Sequence, residues 1–158
     1  MQTLGDAFPN NAQRERVQRS FTTGRVFYLT WDLTNGKRDK YSLLVCPNPP
    51  PLFLLLNTGM ARFIQDTPRL RECQIPIDPE TDPTAVRNAC FLDCTEVKTK
   101  SFDDVVKQVN RDPEDRILGN LCQETLKQAY LALSKDKRIV LGQKVRILEA
   151  LRPLIVLP

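Results

Sequence analysis

Histidine is absent from the 158 residues. With it goes the usual general base, so Ser-His and Cys-His nucleophilic catalysis are excluded on composition. No apolar stretch reaches the ~20 residues that cross a bilayer. The opening MQTLGDAFPNNAQRER is polar where a signal peptide needs an apolar centre. These absences set the expectation of a cytoplasmic protein without a membrane partner. The cysteines Cys46, Cys73, Cys90, Cys94 and Cys122 are odd in number, which favours free thiols over a disulfide framework. Cys90 and Cys94 lie close together, but no second close pair completes a zinc site, so no metal and no cofactor are expected.

What is present suits one domain: 41% apolar and 27% charged residues are the proportions of an ordinary globular chain. The net charge is +4, and its placement is informative. Lys135, Lys137, Arg138, Lys144, Arg146 and Arg152 stand against Asp136 and Glu149 in the last segment, while residues 1–134 balance 17 positive against 17 negative charges. A basic terminal segment attracts nucleic acid or an acidic partner, or is simply a solvated face.

Along the chain, residues 1–23 read as a loosely ordered N-terminal arm with one short helix around Ala12 to Arg19. From Gly24 the character changes. GRVFYLTWDL, KYSLLVC and LFLLLNT are rich in β-branched, aromatic and aliphatic residues and read as three antiparallel strands. Asn35-Gly36 marks a turn between the first two, and the charged residues behind it suggest a longer loop. The cluster Pro47, Pro49, Pro50 and Pro51 separates the second strand from the third. CQIPID reads as a fourth strand, kept at an edge by Pro76, and FLDCTEVKT as a fifth.

After that strand the period shifts towards 3.6. Ser101 ahead of Asp104 has the form of a helix cap, followed by the apolar face Phe102, Val105, Val106 and Val109. Pro113 opens another turn. LCQETLKQAYLALSK and residues 142–151 have helical spacing. Strands first and helices later predict a mainly β, α+β chain: a small curved antiparallel sheet or barrel with helices packed on one side.

Three stretches, in order, resemble the MazF/PemK-like toxins of bacterial toxin-antitoxin pairs. GRVFYLTWDL, a charged loop and KYSLLVC look like the family's opening strand, mobile loop and second strand. FLLLNT looks like the strand that ends in a Thr-rich tip. FLDCTEVKTKS followed by LGNLCQETLKQAYLAL is similar to the late strand, Gly-x-Leu link and terminal helix. The resemblance covers residues 24–134 and leaves 135–158 as a basic C-terminal extension. It implies a small SH3-like antiparallel β-barrel with a C-terminal helix, a homodimer, an acidic antitoxin protein as partner, and metal-independent cleavage of single-stranded RNA leaving a cyclic phosphate. The sequence departs from the pattern where the family's Arg-Pro at the start of the second strand is replaced by Lys40-Tyr41, with Arg38 two residues earlier. That departure supports an alternative, a binding module that keeps the barrel without the catalysis.

Cleavage through the 2′-hydroxyl needs a proton acceptor, a steadied phosphate and a proton for the leaving oxygen. Carried over by position, Lys40 or Arg38 supplies the cation and Thr58 the hydroxyl, with Asn57 as an amide substitute. Lys37 and Arg62 are candidate phosphate contacts, as are Lys98 and Lys100, which alternate with Thr99 towards one side of a strand exit. Each has a plainer reading: Lys37 to Lys40 as a solvated hairpin tip, Asn57-Thr58-Gly59 as a turn, Lys98 and Lys100 as a strand edge blunted by lysine. Trp31, Phe27 and Tyr41 either stack on bases or belong to the core or a dimer interface. Asp93, between apolar residues, needs a polar partner. Leu154, Ile155, Val156 and Leu157 either pack back on the sheet or dock on a partner.

Overall fold

The protein was analysed as a computed structural model that describes residues 4–157. Helix α1 (Leu4–Ser20) leads into β1 (Arg25–Leu33), β2 (Gly36–Cys46) and β3 (Leu52–Asn57), then the single-turn helices α2 (Arg62–Gln65) and α3 (Pro68–Arg71). Strands β4 (Gln74–Ile77), β5 (Cys90–Asp93) and β6 (Lys98–Thr99) follow, then α4 (Phe102–Val109), α5 (Pro113–Arg116) and β7 (Ile117–Asn120). The chain closes with α6 (Gln123–Lys135), α7 (Leu141–Leu151) and a 3-10 turn, Arg152–Leu154. All strand pairs are antiparallel, in the order β4-β5-β3-β2-β1-β7 with β6 also on β3, and the sheet curls into a half-barrel.

Helices cover both faces of this sheet, which corrects the one-sided arrangement expected above. The reason lies in the middle of the sheet, where Ser42–Cys46 and Leu52–Leu56 are buried without alternation. A strand that is apolar on both sides needs a cover on both sides. On one face Val26, Leu43, Leu54 and Leu92 pack against Leu126 and Leu133 of α6 and Ile147 and Leu151 of α7. On the other, Phe27, Leu29, Trp31, Leu44 and Phe53 pack against Val17 of α1 and Val105, Val106 and Val109 of α4.

The N-terminal segment is therefore part of the fold. Its helix runs well past the short helix expected, and Val17 is fully buried. Phe21 meets Phe27, Phe53 and Phe102 at centroid distances of 5.8, 6.3 and 5.1 Å. Arg14 adds an ion pair to Asp103 at 2.7 Å. The basic C-terminal segment is likewise integral, since Ile139, Ile147, Leu151 and Ile155 belong to the first core. Arg146 reaches across to donate to the carbonyls of Asn48 at 2.6 Å and Pro50 at 2.9 Å, tying α7 to the proline loop. The apolar terminus packs back through Ile155.

Three local differences from the sequence reading bear on the site. First, no long charged loop follows Asn35-Gly36. Leu33 pairs with Gly36, whose φ of +100° suits glycine, and Lys37 to Lys40 continue as strand opposite Asp32 to Leu29. Second, FLDCTEVKT is not one strand: it breaks at a turn after Asp93, where the carboxylate accepts from the Thr95 amide at 2.9 Å and from Gln74 Nε2 at 2.8 Å. Third, residues 117–120 form a strand that pairs with β1. Within it Gly119 approaches Thr84 so closely that a Cβ there would lie 2.1 Å from Thr84 Oγ1 and 3.0 Å from its carbonyl carbon. Backbone proximity accounts for the glycine of the Gly-x-Leu link.

Three other expectations hold: β4 is an outermost strand with exposed Pro76, Ser101 Oγ accepts from the Asp104 amide at 3.1 Å, and α6 and α7 fall where helical spacing was read.

Candidate nucleic-acid interface

The candidate site lies where β2 is exposed beside the end of β3: Gly36 to Asp39 are exposed, and Lys40, Tyr41 and Asn57 half-buried. Cross-strand partners in an antiparallel sheet project to one face and successive residues to opposite faces. Trp31 pairs with Arg38 and Leu29 with Lys40, so Arg38 and Lys40 share the face of the second core. Lys37 falls on the opposite face, with Asp39. Thr30 Oγ1 donates to the Asp39 carboxylate, which also pairs with Arg116 at 3.7 Å, while Tyr28 and Tyr41 lie 4.8 Å apart beside them. The run Lys37 to Lys40 is thus sorted by strand alternation into two cations on one side and a lysine with an aspartate on the other.

On the cationic side, Ser42 pairs with Leu55, and the same register carries Lys40 to Asn57. Lys40 Nζ donates to Asn57 Oδ1 at 2.6 Å. Burial, with the Arg38 charge behind it, lowers the Lys40 pKa from its ordinary 10.5, and the Asp93 carboxylate opposes that shift. Burial disfavours an ammonium because water is lost, and a neighbouring guanidinium acts in the same direction. Arg38 is exposed, so its fork is open to a ligand. Next to it the indole of Trp31 is fixed by its own hydrogen bond to Ser42 Oγ, 2.7 Å long, and Lys100 Nζ sits 4.3 Å above the ring centroid. Such a cation over an aromatic face is held electrostatically. Burial lowers the Lys100 pKa as well, with Asp104 and Asp32 opposing.

The remaining candidates are placed differently. Thr58 is exposed one residue beyond β3 and lines a cavity of about 470 Å³ with Cys90, Cys122 and Thr125; it makes no hydrogen bond to Lys40 or Arg38. Register explains this, because the residue opposite Lys40 is Asn57, and its neighbour points elsewhere. Arg62 projects into solvent with its side chain 95% exposed and only a 3.9 Å contact to Asp66. Lys98 is paired with Glu96 at 2.7 Å. Both Lys98 and Lys100 line a cleft of about 1040 Å³ under the proline loop, but Asp32, Glu96, Asp103 and Asp104 line it too. Its carboxylates outnumber its cations, so that cleft does not attract phosphate. Trp31 and Phe27 are core residues, and Tyr41 is half-buried against Tyr28.

Two features of the site escaped the sequence reading. Asp93 finds its polar partners in Gln74 and Thr95 and also bears on the charge of Lys40. Gln108 of α4 accepts from the Thr30 amide at 2.7 Å and donates to its carbonyl at 3.2 Å, closing the open edge of β1 where β7 no longer pairs. No short-range signal marks either one.

No cluster of His, Cys, Asp and Glu able to hold a metal ion occurs among the described residues. No helix among them is long and apolar enough to cross a membrane. No family model, curated protein or solved structure matches the chain.

Proposed function

We propose that the chain is a MazF/PemK-like toxin on an SH3-like barrel, a metal-independent endoribonuclease that cleaves single-stranded RNA at the Arg38–Lys40 end of the sheet. The supporting observation is the pairing of an open guanidinium with a lysine of lowered pKa on one side of the exposed start of β2. The planar guanidinium of Arg38 grips two phosphate oxygens at once. Lys40, more easily deprotonated than an ordinary lysine, takes the 2′-hydroxyl proton in its neutral form. The 2′-oxygen then forms a bond to phosphorus and the bond to the 5′-oxygen breaks. The ammonium so formed returns its proton to the leaving 5′-oxygen, and a 2′,3′-cyclic phosphate remains. Asn57 orients the Lys40 amine throughout. The resemblance adds a homodimer held in check by an acidic antitoxin.

A second reading is favoured by one specific observation. Thr58, the hydroxyl that the resemblance assigns to the site, lines a cavity without Lys40, whose amine bonds Asn57 in its place. A chain lacking that donor still tracks a phosphate backbone, as a binding module without cleavage. Induced expression separates the two. The ribonuclease reading expects arrested growth with degraded transcripts, relieved by Lys40→Ala; growth unaffected by the wild-type chain, with RNA bound and intact, establishes the module.

A further inference from the structure

We propose that the groove between the last turns of α6 and the edge strand β4 is a docking site for an acidic peptide segment that carries aliphatic anchors. The site shares no residue with the Arg38–Lys40 end and stands whether or not the chain cleaves RNA.

The groove encloses about 520 Å³, within the ~300–1,000 Å³ typical of ligand pockets. Its apolar part is Cys73 and Ile75 on the β4 side and Leu131 with Ala132 on α6. Leu131 is 42% exposed, although it lies on a helix whose other apolar residues reach the core. Gln128, Leu131, Ala132 and Lys135 follow at spacings of three, four and seven residues, so one continuous face of the helix is presented to the groove.

The rim is cationic. Arg69, Lys135, Lys137 and Arg138 surround the apolar floor. Arg138 is engaged by the buried carboxylate of Asp136 at 3.1 Å, and Asp136 is thereby neutralised. Arg69, Lys135 and Lys137 make no ion pair among the described residues, and the one other acid on the rim is Glu72. Unpaired cations around an apolar floor are complementary to carboxylates around an apolar side chain. A free anion leaves the floor in water, and a neutral apolar segment leaves the cations unanswered. Strand β4 is outermost in the sheet, but Pro76 has no N–H to offer, so recognition falls to side chains more than to an added strand.

The test uses the full chain and a fluorescein-labelled helical peptide with leucines four residues apart and glutamates flanking them, followed by anisotropy. The wild-type chain is expected to bind it, more weakly as salt rises. Leu131→Glu and the pair Lys135→Glu with Lys137→Glu, all at exposed positions, are each expected to weaken binding about tenfold. RNA cleavage or binding by these variants is expected to stay unchanged, which separates this site from the Arg38–Lys40 end and shows that they fold. In amide spectra the shifts on peptide addition are expected at Leu131 and Ala132. The proposal is overturned by no binding, by equal binding of a peptide with serine for leucine, by unchanged affinity in both variants, or by capture on anionic lipid vesicles in place of the peptide.

Discussion

Lys40 Nζ and Asn57 Oδ1 lie 2.6 Å apart across β2 and β3, on the face that carries Arg38. This contact fixes the amine without neutralising it, because an amide oxygen accepts a hydrogen bond and brings no charge. The first expected outcome concerns its titration. Burial and Arg38 lower the Lys40 pKa, so Arg38→Ala raises it back towards 10.5. Nitrogen-detected NMR of the lysine amines checks this, and a Lys40 value that does not move on removing Arg38 counts against the shared face. The sign for stability follows. Between the lowered folded value and the unfolded 10.5 the unfolded chain holds the extra proton, so the contribution of Lys40 to stability rises with pH across that window.

Salt dependence sorts the charged run. If Arg38 and Lys40 both meet phosphates, each Ala variant lowers the slope of log affinity for single-stranded RNA against log salt by about 0.7. Lys37→Ala, on the opposite face, leaves the slope as it was. Filter binding across a salt series measures all three, and equal effects from Lys37 and Lys40 contradict the assignment by faces.

Asp82 caps α6 from a distant loop. It is 2% exposed, and it accepts from the Cys122 amide at 2.5 Å and from Thr125 Oγ1 at 2.9 Å. Asp82→Ala strands a buried donor and is expected to cost about 1–3 kcal/mol, read by urea denaturation. Thr125→Val leaves the Cys122 amide bonded to Asp82 and is expected to cost less.

The C-terminal segment is expected to behave as core. Ile147 and Leu151 are fully buried. Replacement of either by alanine is expected to lower stability by about 2–5 kcal/mol in the same measurement. An appendage would tolerate both changes.

How much of this was legible in the sequence depended on the range of the cause. Strands β1 to β3, the capped start of α4 and the helices α6 and α7 carry their signals in neighbouring residues: aliphatic and aromatic runs, Ser101 before Asp104, apolar positions at helical spacing. The unbroken apolar runs in β2 and β3 also carried the sign of a sheet covered twice, which the expectation of one-sided helices passed over. What the sequence did not show depends on partners far along the chain. Gln108 on the β1 edge, Asp82 at the start of α6 and Gly119 against Thr84 all involve residues more than thirty positions apart. At the site, Arg38, Lys40 and Asn57 were legible as candidates, but which of them share a face was not, because a strand separates neighbours and only the register reunites them.

Metal-independent cleavage at the Arg38–Lys40 end is measured by incubating the purified chain with single-stranded RNA in excess EDTA and analysing the product ends by mass spectrometry. The wild-type chain is expected to give fragments ending in a 2′,3′-cyclic phosphate, and both Arg38→Ala and Lys40→Ala to lose them. Intact RNA with the wild-type chain, or cleavage that persists unchanged in both variants, contradicts it.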